Sequence, residues 1–387
     1  MDALQSLWSQ SGFIGLDWRN LVMFVVGGVL IALAILRGYE PLLLIPIGFG
    51  AIMANLPGAM MGASHDAAAG GVGALGIQPL LQLVYDAGIR TEFLPPVIFL
   101  GVGALTDFRP LLSRPLTFLL GAAAQFGVFV AATGAHYGLG FTAGEAASIG
   151  IIGGADGPTT IFLTAILAPH LMGAVAVAAY SYMALVPIIQ PPVIRLLTTK
   201  HERAIDMPQA KPVSQTAVIV FPIATAVLAS LAVPACAPLL GMLMYGNLLR
   251  ESGVTERLFK TAGGHLINVV TMFLALTIGA TMEGRTFLQP QTLYILALGA
   301  VAFVFSTAGG VIFAKAMNLA LPARMQVNPC IGAAGVSAVP MSARVVQNFV
   351  SRETGGRVNP LMAAMGPNVA GVIGTAVAAG AFIAMLR

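Results

Sequence analysis

Apolar runs long enough to cross a membrane follow one another along almost the whole chain. A bilayer core requires about 20 apolar residues per helix, and fewer where the helix is short or broken. Charged residues make up only 9% of the 387 residues, whereas soluble domains carry roughly 25%. The sequence therefore predicts an all-α polytopic membrane protein and excludes a soluble protein with one anchor. The ten predicted spans lie near 20–37, 41–57, 94–106, 115–134, 171–195, 216–233, 235–249, 264–282, 291–317 and 359–386.

Two further apolar segments do not fit as simple spans. Segment 144–169 surrounds Asp156, and segment 326–350 surrounds Asn328 and Ser337. Both are interrupted by Gly and Pro. Irregular backbone at membrane depth is tolerated only where it is buried in protein or lines a cavity. We therefore expect both segments to be re-entrant, so that each enters and leaves the membrane from one side.

The basic residues separate cleanly onto the two sides of this topology. Connections between spans alternate between the sides, and all but four of the 19 Lys and Arg residues fall on one of them. Cytoplasmic loops carry the excess of Lys and Arg, so that side is predicted to be cytoplasmic and both termini to face outward. The four exceptions are Arg19, Arg90, Arg285 and Arg387.

The two halves of the chain share short motifs in the same order. Because each half has five spans, an odd number, the second half would be inserted upside down. Inverted repeats with broken segments in matching positions are typical of a transport site near the membrane midplane. The paired motifs are 50–56 with 241–248, 103–107 with 279–283, 153–158 with 335–340, and 168–172 with 359–362.

This repeat divides the chain into four parts. Segment 144–169 would enter the membrane from outside and segment 326–350 from the cytoplasm, so that their tips meet inside it. His65 and Asp66 are assigned to a flexible outer loop. The predicted parts are an extracytoplasmic or interfacial segment 1–19, a first repeat 20–197, a basic cytoplasmic linker 198–215 and a second repeat 216–387.

Asp156 is the main candidate for a functional residue. An ionisable group in an apolar membrane segment is costly and is usually retained for a function. Carboxylate, carbonyl and hydroxyl oxygens are the ligands that hard cations such as Na+ prefer. The alternative is a carboxylate that caps a helix N-terminus. The residues expected to shape the site are Gly153, Gly154, Gly157 and Pro158 in the backbone, with Thr159 and Thr160 as hydroxyls.

Polar residues of the second half provide further candidates. Asn328 and Ser337 offer neutral oxygens. Arg344 follows Ser337 by seven residues, or two helical turns, so the two share a helix face; the alternative for Arg344 is a positively charged cytoplasmic anchor. Asn368 follows a proline inside the last span, which predicts a break with exposed carbonyls.

Three polar residues leave alternatives open. Tyr182 lies in mid-span, and a buried phenol needs a hydrogen-bond partner, which either a functional site or a local core contact could supply. Asn55 and Asn247 form a repeat-related pair that either lines the site or bonds across helices.

The energy source for transport is also constrained. The sequence contains no phosphate-binding loop of the form G-x-x-x-x-G-K-[S/T]. Uphill transport would therefore be driven by another ion or by chemistry on a partner. The residues leave a Na+-coupled secondary transporter of an organic acid open as an alternative, and they argue against a structural subunit without an ion site.

With these residues in view, the chain resembles the β subunits of the sodium-pumping, biotin-dependent decarboxylases. That family acts on oxaloacetate, methylmalonyl-CoA, glutaconyl-CoA or malonate. The resemblance centres on a long and specific motif at 153–159 and covers the chain from about residue 20 to 387. It continues with the family's spacing through Tyr182, Asn328, Gly332, Ser337 and Arg344.

The resemblance implies a Na+-translocating carboxybiotin decarboxylase subunit in the cytoplasmic (inner) membrane of a bacterium or archaeon. A carboxyltransferase α subunit and a biotin-carrying subunit would supply carboxybiotin. A small single-span γ or δ subunit would join them in a complex that contains several copies of this chain and no nucleic acid. Decarboxylation would consume a proton and drive Na+ outward.

The resemblance also implies roles for individual residues. Asp156, Asn328 and Ser337 match residues tied to Na+ binding and coupling, and Asn368 is added as a fourth Na+ candidate. Tyr182 and Arg344 match residues linked to proton delivery or to the carboxybiotin. The catalytic candidates are Asp156, Tyr182, Ser337 and Arg344.

Overall fold

The computed structural model describes residues 8, 11–38, 40–58, 80–207, 212–322 and 325–387. The loop of His65 and Asp66 and most of the segment before Ser11 lie outside these residues. Throughout the described ranges the regular structure is helical. The helices are α1 (Trp18–Arg37), α2 (Pro41–Ala54), α3 (Leu80–Arg90), α4 (Leu94–Leu105), α5 (Pro115–Gly138), α6 (Ala143–Gly150), α7 (Gly157–Leu167), α8 (Met172–Leu197), α9 (Gln215–Ala232), α10 (Ala237–Glu251), α11 (Glu256–Ala280), α12 (Pro290–Ala320), α13 (Met341–Glu353) and α14 (Leu361–Leu386).

Short elements connect these helices. Three are single helical turns and four are 3-10 turns, and most begin at or next to a proline, whose fixed φ suits the first turn of a helix. They are Arg109–Ser113, Lys200–Arg203 and Gly284–Phe287, and the 3-10 turns Ile151–Gly154, Pro169–Leu171, Pro234–Cys236 and Pro329–Gly335.

The described helices confirm a multi-pass membrane protein. Six of them, α1, α5, α9, α11, α12 and α14, are long and apolar enough to cross a membrane. The bent pair α3–α4 and the bent helix α8 raise the number to eight. The predicted spans 41–57 and 235–249 correspond to the short helices α2 and α10, so the count of ten remains a prediction.

Local sequence explains where these helices begin and bend. Asp17 and Asn20 form a capping box at the start of α1, and Gly38 closes that helix in the left-handed conformation with φ of 66°. Helix α8 is bent by 62° between 169–183 and 185–197. Pro187 lies within it, and a proline cannot donate the helical hydrogen bond, so a bend at this place is expected.

Two close helix crossings join the halves of the chain. Gly50 of α2 and Gly279 of α11 each face main-chain atoms of the other helix so closely that a methyl group would overlap them. Gly103 of α4 and Gly246 of α10 do the same. Helix α14 is the most buried of the six long spans, and α9 is the least buried.

Asn55 and Asn247 lie at these two crossings. Asn55 donates from Nδ2 to the Met282 carbonyl oxygen at 2.7 Å, and its Oδ1 accepts from the Gly284 amide at 2.8 Å. Asn247 donates to the Thr106 carbonyl oxygen at 2.8 Å. Of the two alternatives, these contacts favour bonding across helices.

Both predicted re-entrant segments contain a break between helical pieces. In the first, α6 and a 3-10 turn end at Ala155, which is left-handed with φ of 53°, and Asp156 is extended before α7 begins. In the second, the 3-10 turn Pro329–Gly335 is followed by extended Val336 and then by α13. Each predicted segment therefore contains a break, and its re-entrant course stays a prediction.

Candidate functional site

The site is built around Asp156, which is buried at the N-terminus of α7. Its carboxylate accepts a hydrogen bond of 3.1 Å from the Thr159 amide, and its side chain is only 7% exposed. The positive end of a helix dipole stabilises a carboxylate at this position. Asp156 is thus a helix cap, and its burial sets it apart from an ordinary solvent-exposed cap.

The second break lies directly against the first. The Ser337 amide donates to the Gly154 carbonyl oxygen at 2.8 Å, and the Ser337 hydroxyl interacts with the Asp156 carboxylate. The structure therefore brings two of the predicted site residues, Asp156 and Ser337, together across the two broken segments.

A chain of buried hydroxyl and amide groups continues from Ser337. Its hydroxyl lies 3.0 Å from Thr375 Oγ1, which in turn lies 3.3 Å from Gln125 Oε1. All three side chains are buried. The sequence does not single out Thr375 or Gln125. The only available signal was a lone amide in an apolar span, and such residues often merely join helices.

Asn368 shapes the second break from α14. Its Nδ2 donates to the carbonyl oxygens of Ala334 at 3.0 Å and Val336 at 2.7 Å. Its Oδ1 is buried and has no hydrogen-bond partner within the described ranges. Asn368 therefore holds the segment that carries Ser337 and keeps one oxygen available.

Two neighbouring tyrosines of α8 face different surroundings. The Tyr180 ring packs on Gly157, where an added Cβ would lie 2.6 Å from Cζ and 2.8 Å from the hydroxyl oxygen. The Tyr182 hydroxyl instead donates to the Leu296 carbonyl oxygen of α12. The sequence points to Tyr182 and not to Tyr180, although Tyr180 is the one that packs on Gly157.

Asn328 makes its hydrogen bonds away from Asp156. Its Nδ2 donates to the carbonyl oxygens of Arg203 and Ile205, both at 3.0 Å, and its Oδ1 accepts from the Cys330 amide at 3.1 Å. Asn328 thus fastens the second broken segment to the linker. Its role in Na+ binding stays a prediction.

Arg344 is exposed in the first turn of α13, and its side chain makes no hydrogen bond or ion pair with the described residues. The same helix lines an open cavity of about 210 Å³ together with the second half of α8. Its lining combines prolines, a valine and an aromatic ring with an amide, two arginines and one glutamate. The lining residues are Pro187, Pro191, Arg195, Val345, Asn348, Phe349, Arg352 and Glu353.

A buried carboxylate among hydroxyl and amide oxygens, between two broken segments of a multi-pass helical bundle, defines an ion-coupled membrane protein. Sequence comparisons give the particular family. Residues 19–386 match the family described as the Na+-transporting oxaloacetate decarboxylase beta subunit. The chain belongs to this family of Na+-transporting decarboxylase β subunits.

Three relatives illustrate the range of the family. The chain is 54% identical to the methylmalonyl-CoA decarboxylase subunit beta of Veillonella parvula and 53% identical to the glutaconyl-CoA decarboxylase subunit beta of Acidaminococcus fermentans, in both cases over 99% of this chain and 98% of the relative. It is 48% identical to the oxaloacetate decarboxylase beta chain 2 of Salmonella typhi, over 99% of each protein. The matched lengths show that the resemblance extends over the whole chain.

Proposed function

We propose that this β subunit decarboxylates carboxybiotin and couples the reaction to Na+ export through Asp156. The observation that supports this most is the meeting of the two broken segments, where Ser337 bonds to Gly154 next to the buried carboxylate. A carboxylate inside a membrane protein can bind either Na+ or H+, and exchange of the two couples their fluxes.

The proposed coordination of Na+ uses oxygens of both segments. Asp156 supplies the negative charge and Ser337 a hydroxyl. Asn368 supplies its Oδ1, which has no partner among the described residues. Asn328, in the second segment, is the further Na+ candidate. Carboxylate, amide and hydroxyl oxygens suit a hard cation. In this proposal Na+ replaces the proton on Asp156, and the released proton is consumed in the decarboxylation, with Tyr182 on the proton's route.

Carboxybiotin would arrive from the cytoplasmic side, carried by a partner subunit. Arg344 is an exposed cation on α13, and Arg352 lies two turns further on beside the cavity. Guanidinium groups bind carboxylates through charge-assisted hydrogen bonds. The apolar walls of the cavity suit the bicyclic ring of biotin. We therefore place carboxybiotin near Arg344, with the carboxyltransferase, biotin-carrying and small single-span subunits completing the complex.

The proposed geometry is an inverted repeat with both termini outside. The symmetric contacts of the two crossings support it: Asn55 bonds to Met282, and Asn247 bonds to Thr106, the position that matches Met282 in the repeat. At both crossings a glycine of one half packs on the main chain of a helix from the other half, and Gly103 matches Gly279 in the repeat. This pattern is expected of two halves related by an axis in the membrane plane.

The proposal is tested with the purified complex. We expect decarboxylation of free carboxybiotin to depend on Na+, and Asp156→Asn to assemble normally but to lose that Na+-dependent activity. Asp206→Asn, an exposed carboxylate in the linker, is the matched control and should retain it. Wild-type rates in Asp156→Asn would overturn the proposed role of Asp156.

The alternative is a Na+-coupled secondary transporter of an organic acid, which would use similar inverted repeats. The two proposals differ in their partners. The decarboxylase subunit should copurify on avidin with a biotinylated subunit, and the retained complex should release CO2 from carboxybiotin. A transporter would be lost from the avidin column and would move the acid without decarboxylating it.

A further inference from the structure

The Tyr180 hydroxyl is buried without a partner among the residues that the structure describes. The side chain is 1% exposed, and no hydrogen bond to the hydroxyl exists within the described part of the chain. Buried phenols usually find a hydrogen-bond partner. Such a hydroxyl has its lone pairs available for a water, a ligand or an ion.

A second buried hydroxyl, that of Thr159, lies beside the Asp156 carboxylate. Thr159 Oγ1 is fully buried and has no partner by hydrogen-bond geometry within the described ranges, but it interacts with that carboxylate. The Thr159 amide meanwhile donates to the Asp156 carboxylate at 3.1 Å. This main-chain bond fixes Thr159 one helical turn after Asp156 and keeps its hydroxyl next to the carboxylate.

Gly157 brings the tyrosine ring to the same point. Because Gly157 has no side chain, Tyr180 can pack on the backbone directly after Asp156, with its hydroxyl 2.8 Å from the place a Cβ would occupy. Tyr180 also interacts electrostatically with the Asp156 carboxylate. The Asp156 carboxylate and the hydroxyls of Thr159 and Tyr180 therefore all lie around the first turn of α7.

We propose that Tyr180 and Thr159 supply hydroxyl oxygens to the cation that binds Asp156. The inference rests on the proposed function and names two ligands beyond those assigned above. The charge balance indicates a monovalent cation, because one carboxylate neutralises one such ion and the remaining groups are neutral oxygens. Small hard cations, Na+ and its analogue Li+, fit this set of oxygens.

The Tyr180→Phe variant distinguishes a residue that binds the cation from one that only packs. The ring on Gly157 is retained and only a hydroxyl without a protein partner is removed, so a purely structural residue would tolerate the change. We expect the half-saturating Na+ concentration for decarboxylation to rise about tenfold or more, with the rate at saturating Na+ largely preserved. Tyr294→Phe, a half-exposed tyrosine of α12, is the control and should match wild type.

Thr159 provides a second, independent pair of variants. Thr159→Val removes the hydroxyl at nearly constant volume, and Thr159→Ser retains it. We expect Val to weaken the response to Na+ and Ser to preserve it. Stabilisation of the purified complex by Na+ in thermal unfolding reports binding without turnover, and it should follow the same order.

The outcomes distinguish this inference from the proposed function. If wild type responds to Na+ and both Tyr180→Phe and Thr159→Val respond at the same concentrations, the two hydroxyls are not ligands. If wild type itself shows no Na+ dependence in rate or in thermal stability, the proposed function fails. If a variant does not assemble fully, thermal stabilisation by Na+ is measured on the complex that does form. It is then compared with that of the matched control, Thr159→Ser or Tyr294→Phe.

Discussion

Gly157→Ala tests whether the Tyr180 ring packs at the Asp156 site as described. The new methyl group would overlap Tyr180 Cε1 and lie 2.6 Å from Cζ, whereas carbon atoms in contact are about 3.5–4.0 Å apart. The ring would have to move by roughly 1.5 Å within a fully buried environment. Overpacking of this kind costs about 1–3 kcal/mol, which corresponds to about 5- to 150-fold in an equilibrium constant.

Two measurements on the purified complex detect the effect of this strain. We expect the thermal midpoint to fall and the half-saturating Na+ concentration for decarboxylation to rise, because the displaced hydroxyl faces Asp156. Gly241→Ala is the control, since that glycine lies in α10 with no atom within 4 Å of an added Cβ. A Gly157→Ala complex with the midpoint and Na+ response of Gly241→Ala would refute the packing of Tyr180 on Gly157.

Three further predictions concern other parts of the molecule. Gly279→Ala should destabilise the crossing of α2 and α11 by about 1–3 kcal/mol, measured by thermal unfolding against Gly28→Ala, where the added Cβ meets nothing. Arg344→Gln should raise the KM for free carboxybiotin about tenfold without changing the Na+ response, and Arg357→Gln should change neither. A hydrogen bond from Arg195 lowers the pKa of Glu353; burial opposes this shift and Arg203 reinforces it. The ionised Glu353 carboxylate therefore stabilises the fold above the usual carboxyl pKa, and this stabilisation is lost as the pH falls through the lowered pKa. The difference in thermal midpoint between wild type and Glu353→Gln should shrink in that acidic range, and a constant difference would contradict the assignment.

The class of protein and the location of the breaks could be predicted because apolar length and Gly/Pro content act locally. Helix α7 begins at Gly157, directly after Asp156, and the first break falls within segment 144–169. The pairing of Asp156 with Ser337 was also predictable, since matching broken segments in two repeats are expected to meet. These features depend on residues that are close together in the sequence or on the internal repeat.

The partners of individual side chains could not be predicted, because they depend on how helices rotate against each other. Tyr180 and Tyr182 are two residues apart, and only the packing of α8 on Gly157 decides which of them faces Asp156. Asn328 bonds to Arg203 and Ile205, so its surroundings depend on where the linker folds back.

The helix lengths show a similar limit. Segments 41–57 and 235–249 have the composition of full spans, but α2 contains 14 residues and α10 contains 15. At 1.5 Å per residue these helices are roughly 21–23 Å long, shorter than the hydrocarbon core of about 30 Å. Their close glycine crossings with α11 and α4 place them between other helices, which hydropathy alone does not indicate.

The central claim is that decarboxylation moves Na+ through the site at Asp156. The direct measurement is radioactive Na+ uptake into proteoliposomes that contain the complex with its cytoplasmic face outward, with oxaloacetate, methylmalonyl-CoA and glutaconyl-CoA offered in turn. The account predicts that one of these substrates drives Na+ inward in wild type and that Asp156→Asn abolishes the uptake. Decarboxylation without Na+ movement in wild type, or unchanged uptake in Asp156→Asn, would contradict it.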